Sequence, residues 1–385
     1  MQRQLHLFQS HHKATRVDPA LWQGSFNDRE SSLHQLSPYV GKLKSGMVRV
    51  LLETFSRPGE WVCDPFSGSG VVPLESLILK RKAAANDLSL YAYVLTMGKV
   101  MAPPGLDKAL KNAERLISLV TEKKTGVDEK GIPDWVREFF HPETLKEIVV
   151  AFEELIENQD YFLMACLCGI LHHVRPGFLS YPASHLTPYL RKSKYPSEQF
   201  PEMYHYRDLG SRLRAKVIRM YRRTMIEGWW TKHDYQVTQT NAMALQFDSS
   251  SQDLILSSPP YFGALDYARD NRLRLWFLGE KNWKKLDQSL TASEKIYLPQ
   301  MSKCLVEMHR ILKKNRYCVL VLGDVERNGK NHDTAEIVAE LGCEVTKQGF
   351  MVEEIVSDFI PDERRSRRKT RTTKCEKIVI LKKVK

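Results

Sequence analysis

Two short segments carry residue types that could do chemistry together. The first is DPFSGSG, Asp64 to Gly70. It follows an apolar stretch and runs into VVPLESLI, which has helical spacing. A strand that ends in an acid and turns on glycines into a helix points a carboxylate and backbone N–H groups at a ligand on the sheet's carboxyl edge. Glycine is needed where a side chain would bar that approach. No Gly-Lys-Ser/Thr follows, so the turn is not a phosphate-binding loop. Standing alone, it reads equally as a structural tight turn. Asp87, in AAANDLS, closes the next apolar run. An acid there can hold ribose hydroxyls, or serve only as a turn or helix-capping residue. The second segment is SPPY, Ser258 to Tyr261, entered directly from LILS. Two consecutive prolines fix the backbone and remove two N–H donors. What remains is carbonyl oxygens, the Ser258 hydroxyl and the Tyr261 ring, a rigid acceptor-rich corner beside a stacking plate. That corner suits a planar amino base swung out of a helix. Alone, it could also be a proline-rich cap on a strand.

DPFSGSG followed downstream by SPPY resembles the amino-group DNA methyltransferases, which modify the amino nitrogen of cytosine or adenine. SPYVGKLKSGMVRVLLETF, just before the Gly-rich turn, looks like the family's segment that closes over the methionine end of the cofactor. The resemblance covers about residues 33–95 and 235–325. It implies S-adenosyl-L-methionine as cofactor. Asp64, Pro65, Phe66, Ser67, Gly68, Ser69 and Gly70 would wrap its methionine part, and Asp87 its ribose. Tyr39 and Lys42 fall in the closing segment. Asn241, in QTNAMAL, stands where the family often has an acid contacting the adenine ring. Ser258, Pro259, Pro260 and Tyr261 would form the catalytic loop. Serine at the head of that loop is typical of cytosine-N4 members, and Asp or Asn of adenine members. The implied reaction is therefore methyl transfer to the exocyclic N4 of cytosine in double-stranded DNA, with the base flipped. A cognate restriction endonuclease is a candidate partner. N6-adenine or RNA amino methylation, and a non-catalytic nucleic-acid binder, are the alternatives.

Chemically, the amino nitrogen of cytosine is a poor nucleophile, because its lone pair is delocalised into the ring. Ser258 Oγ and the Pro259 carbonyl would accept hydrogen bonds from its two hydrogens and favour a pyramidal nitrogen. Tyr261 would stack on the base. Methylation of the ring carbon would need a nucleophilic thiol. The chain has no Pro-Cys pair, and its seven cysteines are scattered without a Cys-x-x-Cys spacing. They read as reduced, buried residues with no metal site. His172 and His173 read as structural or polar-contact residues.

Elements must hold the two segments together. From Leu33 to Ser56 the apolar spacing is helical, and Pro58-Gly59 forces a turn. WVCDPF then reads as a buried strand, VVPLESLILKRK as a helix and KAAANDLS as a second strand. This is the opening of a doubly wound nucleotide-binding sheet. Between about 95 and 232 strand signals vanish. HPETLKEIVVAFEELIEN and DYFLMACLCGILHHV have helical spacing, Arg175 to about Tyr206 is irregular, and a basic helix follows from Leu209 to about Trp229. Strands resume at DYQVTQT, DLILSS, RYCVLVLGDV, GFMVEEIVSDFI and CEKIVILKKV. The expected fold is α/β: a Rossmann-like methyltransferase fold with a seven-stranded, mostly parallel sheet and a large helical insertion. Residues 1–32 are read as an N-terminal arm. Residues 33–95 and 233–385 form the catalytic domain, and 96–232 the insertion and candidate target-recognition region.

The chain has 385 residues and a formal net charge of +12, which suits a polyanionic partner. Arg364, Arg365, Arg367, Arg368 and Arg371 lie in a charge run before the last strand and are candidates for phosphate contacts. The basic helix either grips phosphates or is a solvated face. RPGFLSYPASHLTPYLRKSKY reads sequence or shape, or merely packs. No apolar run is long enough to span a membrane, and MQRQLHLFQSHHK is not a signal peptide, so a cytoplasmic protein is expected.

Overall fold

The computed structural model describes residues 17–22, 30–223, 230–260, 267–284, 294–323, 325–327, 330–359 and 375–385. Its centre is a pair of short strands, β1 (Trp61–Asp64) and β4 (Gln252–Ser257), buried along nearly their whole length. Strands covered by helices on both faces must be apolar throughout, which is why WVC and LIL show no alternation. Around them lie β2 (Lys82–Asn86), β3 (Tyr235–Thr238), β5 (Leu312–Gly323), β6 (Phe350–Phe359) and β7 (Cys375–Lys383). The order across the seven-stranded sheet is β3-β2-β1-β4-β5-β7-β6. The first five run parallel, and β7 runs antiparallel to both its neighbours. This is the expected Rossmann-like, mostly parallel sheet. The strand order reverses between β1 and β4, which opens a crevice at their carboxyl ends. Both chemistry-bearing segments leave the sheet there.

The helical prediction over 33–56 is corrected. Helix α1 begins only at Ser45 and runs to Phe55. Upstream lies a 3-10 turn, Ser32–Gln35, whose Leu33 N–H is capped by the Ser31 hydroxyl. Pro38 and Gly41, the latter at φ +78°, keep the segment between them out of a helix. Next come α2 (Val71–Ile78) and α3 (Leu90–Val100).

In the 96–232 stretch the helices are α4 (Leu106–Lys123), α5 (Asp134–Arg137), α6 (Pro142–Glu157), α7 (Tyr161–Ile170) and α8 (Leu209–Met220). The basic helix thus ends nine residues short of the expected Trp229, and 224–229 lie outside the described residues. Beyond β4 follow α9 (Tyr267–Asp270), α10 (Arg272–Phe277), α11 (Glu294–Ile311) and α12 (Thr334–Val345).

One apolar core joins α4, α6, α7 and α8 to α3 and α10, so the insertion is packed onto the sheet's helices. Helix α7 is buried from Phe162 to Ile170. At its end Gly169 lets the chain pass so closely that a Cβ would fall 1.9 Å from the Leu36 carbonyl oxygen. Among the described residues, no helix is long and apolar enough to cross a membrane.

Candidate active site

Strand β1 delivers Asp64 to the crevice, 3% exposed. Its Oδ1 accepts hydrogen bonds from Ser257 Oγ (2.5 Å) and the Phe66 N–H (3.3 Å). Ser257 is the last residue of β4, so this bond ties the Gly-rich turn to the strand end that carries Ser258. Burial pushes the Asp64 carboxyl up to about 7, against the lowering effect of these donors.

The turn itself is fixed by its backbone. Gly70 adopts φ +71°, its N–H donates to the Ser67 carbonyl (2.7 Å), and a Cβ there would sit 2.9 Å from Thr96 Cα. Only glycine meets both conditions. The Gly68 N–H donates to Asp87 Oδ2 and the Ser89 N–H to Asp87 Oδ1, each at 2.9 Å. Asp87 therefore brackets the turn against the end of β2, and burial raises its carboxyl to about 6. Beside it, fully buried Asn86 donates to the Pro65 and Thr240 carbonyls. Its oxygen accepts from Thr238 Oγ1 and from the Thr240 N–H and hydroxyl. One amide thus joins the loops after β1, β2 and β3.

The segment before α1 covers this cradle. The Tyr39 ring lies over Gly68, where a Cβ would be 3.0 Å from a ring carbon. Tyr39 stacks on Tyr91 (6.0 Å, 27°), whose hydroxyl donates to the Pro38 carbonyl at 2.7 Å. Lys42 donates to the His34 carbonyl (3.0 Å), and burial holds its ammonium below the usual range. Beneath lies a buried relay. Lys99 Nζ is 3.5 Å from His34 Nδ1, His34 Nε2 meets Glu75 Oε1 at 2.5 Å, and Arg49 Nε donates to Glu75 Oε2 at 2.5 Å. Burial, with Lys99 nearby, brings His34 down to about 4, so the ring is neutral. Burial alone would raise Glu75, but the bonds from His34 and Arg49 outweigh it and hold the carboxyl below its usual range.

These walls enclose about 1200 Å³, open solvent at the mouth included. All the sequence-predicted cofactor residues line it except Gly70, which lies behind, turning into α2. Asn241 sits at the rim with its Oδ1 accepting the Met243 N–H (3.0 Å). Ser258 and Pro260 line the same space, while Pro259 is buried outside the lining. Tyr261 lies outside the described residues, as do Arg364, Arg365, Arg367, Arg368 and Arg371.

Sequence reasoning missed the opposite wall, Tyr297, Gln300, Met301 and Cys304 of α11. It also missed Ser257 and Asn86. A polar Asn after a run of alanines, and a second serine before the prolines, were the available signals. The seven cysteines are free thiols, buried except for half-buried Cys343. The basic face of α8 is largely occupied. Lys216 points inward to the Gln35 carbonyl (2.6 Å), where burial lowers it to about 8, and Arg214 forks onto Glu114 at 2.5 and 2.7 Å.

No protein-family model matches the chain, and no curated protein matches it significantly. Solved structures similar to it include TrmN from Thermus thermophilus, at 11% identity, covering 91% of this chain and 52% of that one, with a TM-score of 0.33. This chain thus spans about half the length of TrmN. An S-adenosylmethionine-dependent methyltransferase from Methanosarcina mazei has 10% identity, covers 87% of this chain and 97% of its own, and has a TM-score of 0.35. A third, also from Thermus thermophilus, is assigned as a DNA modification methylase and was solved with S-adenosyl-L-methionine. It has 20% identity, covers 36% of this chain and 49% of its own, and has a TM-score of 0.22.

Proposed function

We propose that this chain transfers the methyl group of S-adenosyl-L-methionine to the exocyclic N4 of cytosine in double-stranded DNA, with the target base swung out of the helix. The observation that carries this is the shared pocket. The DPFSGS turn and Asp87 form one wall, Ser258 and Pro260 another, and the Asp64–Ser257 bond links the two.

The residues present fit the cofactor. Asp87 offers carboxylate oxygens to a ribose diol. Asp64 and Asp87 place acidic groups beside a space that would receive a sulfonium and an ammonium. Gly68, lacking a Cβ, lets the Tyr39 ring lie directly against the turn. S-adenosyl-L-methionine supplies a methyl already activated on positively charged sulfur, so the chain's work is positioning and electrostatics. Ser258 Oγ and the Pro259 carbonyl accept the amino hydrogens of cytosine and help localise the nitrogen lone pair. Pro259 and Pro260 hold those acceptors rigid and carry no N–H that could compete. Tyr261 stacks on the base. The stretch 96–232 supplies target recognition, and the arginines from Arg364 to Arg371 meet phosphates.

The test is to incubate the full chain with duplex DNA and methyl-labelled cofactor, digest the DNA and separate the nucleosides by mass spectrometry. N4-methylcytosine is the expected product. Methyladenine would overturn the base assignment that rests on Ser258. Label appearing only in RNA would overturn the DNA assignment, and no transfer at all would overturn the enzyme.

A further inference from the structure

A loop between α7 and α8 holds two guanidiniums, those of Arg175 and Arg191, that no carboxylate pairs with among the described residues, while its Lys192 pairs with Glu138 at 3.2 Å. The His173 and His185 rings lie 5.1 Å apart, and the Arg175 N–H donates to His173 Nδ1 at 3.1 Å. Arg191 approaches from the other arm of a tight reversal. That reversal is held by an Ala183–Leu190 bridge, by Ser184 N–H to the Tyr189 carbonyl (3.0 Å) and by Arg191 N–H to the Pro182 carbonyl (2.9 Å). Burial, followed by the like charges of His185, Arg175 and Arg191, pushes His173 down to about 4. No carboxylate pairs with any of these four side chains among the described residues. Arg214 and Arg316, by contrast, are paired with Glu114 and Glu60. Like charges held together repel, and a bound anion relieves that repulsion.

The loop is also fastened to the segment that follows the SPPY stretch. Thr187 Oγ1 donates to Asp270 Oδ1 (2.6 Å), and Arg272 donates to the Pro188 carbonyl. Buried Arg274 donates to the Cys168 and His185 carbonyls, at 3.2 and 3.4 Å. Asp270, Arg272 and Arg274 belong to α9 and α10, the first described elements after Pro260. Alongside lies a groove lined by Trp135, Tyr189 and Trp283 together with Arg272, Lys284 and Lys192, the last paired with Glu138 on the same wall. Aromatic plates beside cations match nucleic acid, with its charged backbone and stackable bases.

We propose that the loop from His173 to Lys194, centred on Arg175 and Arg191, docks the phosphodiester backbone of duplex DNA flanking the reacting base. This rests on the methyl-transfer reading given above. The guanidiniums contact phosphates, and the reversal at 183–190 sets their spacing before DNA arrives. Contacts of this kind fix register on the duplex without reading sequence.

The experiment measures binding of a fluorescent DNA duplex to the full chain by anisotropy, between about 50 and 200 mM salt. The variants are the Arg175→Ala/Arg191→Ala double, its Arg→Lys counterpart at both positions, and Arg214→Ala. Calorimetry with S-adenosylhomocysteine checks that each variant keeps its fold and pocket. The double alanine variant should lose about two units of salt slope, with weaker binding at low salt. The double lysine variant should recover most of that slope, and Arg214→Ala should match the parent. A parental slope in the double alanine variant, on a parent that binds DNA, would overturn the docking loop alone. A parent that binds S-adenosylhomocysteine but shows no salt-dependent DNA binding would overturn the loop and the nucleic-acid substrate together.

Discussion

The proposed cofactor cradle and the loop at 173–194 treat charge in opposite ways. In the cradle each ionisable group is satisfied inside the chain. Asp64 has Ser257, Asp87 has two backbone amides, and Glu75 sits between His34 and Arg49. In the loop no carboxylate among the described residues pairs with Arg175 or Arg191, although Lys192 has Glu138. A wall that must present fixed geometry to a small ligand is preorganised by its own hydrogen bonds. A surface meant for a polyanion gains more from charge left for the partner to neutralise.

The largest expected effects come from breaking the rigid side. Gly70→Ala places a Cβ against the Thr96 backbone at a positive φ. It should cost about 2–4 kcal/mol of stability and abolish cofactor binding. Urea unfolding and calorimetry read both. By contrast, Arg175→Ala/Arg191→Ala should leave stability within about 0.5 kcal/mol of the parent. A large loss there would mean the loop's charges are structural and the contrast is false.

Ser257→Ala removes the donor that links the two walls. It should cost about 1–2 kcal/mol, raise Asp64 further and weaken cofactor binding by about tenfold. Unchanged cofactor affinity would show that Asp64 does not face the ligand.

A smaller effect is in proton linkage. Folded Asp64 titrates at about 7, above its unfolded value, so the protonated carboxyl stabilises the fold at low pH. That contribution is lost as pH rises from about 4 towards the folded value. A cationic ligand favours the carboxylate. Cofactor binding between pH 6 and 7 should therefore release a fraction of a proton, seen by calorimetry in buffers of different ionisation heat. Asp64→Asn should remove most of the release, leaving only what Asp87, at about 6, contributes.

The smallest effect is Arg214→Ala. Its pair with Glu114 is exposed, so stability should change by less than about 1 kcal/mol, checked by thermal unfolding.

Much of the rigid side was legible in the sequence, because its constraints are local. A buried strand running into glycines before a helix leaves few alternatives, and the residues of DPFSGS reach the pocket lining. Segments fixed by tertiary contacts were less so. SPYVGKLK has helical apolar spacing, yet it is irregular, with a turn at Val40-Gly41, because Pro38 breaks the ladder and Tyr91, Lys216 and the Gly169 approach hold its neighbourhood elsewhere. Lys216 looked like a surface cation in its helix. It is buried because its ammonium satisfies the Gln35 carbonyl, a partner 181 residues away. The α11 wall carried no signal, since pocket-lining Met301 and Cys304 are indistinguishable in sequence from core residues.

The central claim is that Ser258 belongs to a reacting wall separate from the cofactor wall of one pocket. Single-turnover methyl transfer to duplex DNA by parent and Ser258→Ala, with cofactor affinity measured in parallel, tests it most directly. Transfer should slow by about ten- to a hundredfold, equivalent to losing one strong hydrogen bond as the amino nitrogen becomes pyramidal, while affinity for S-adenosyl-L-methionine stays within about twofold. An unchanged rate, or a rate and an affinity that fall together, would contradict it.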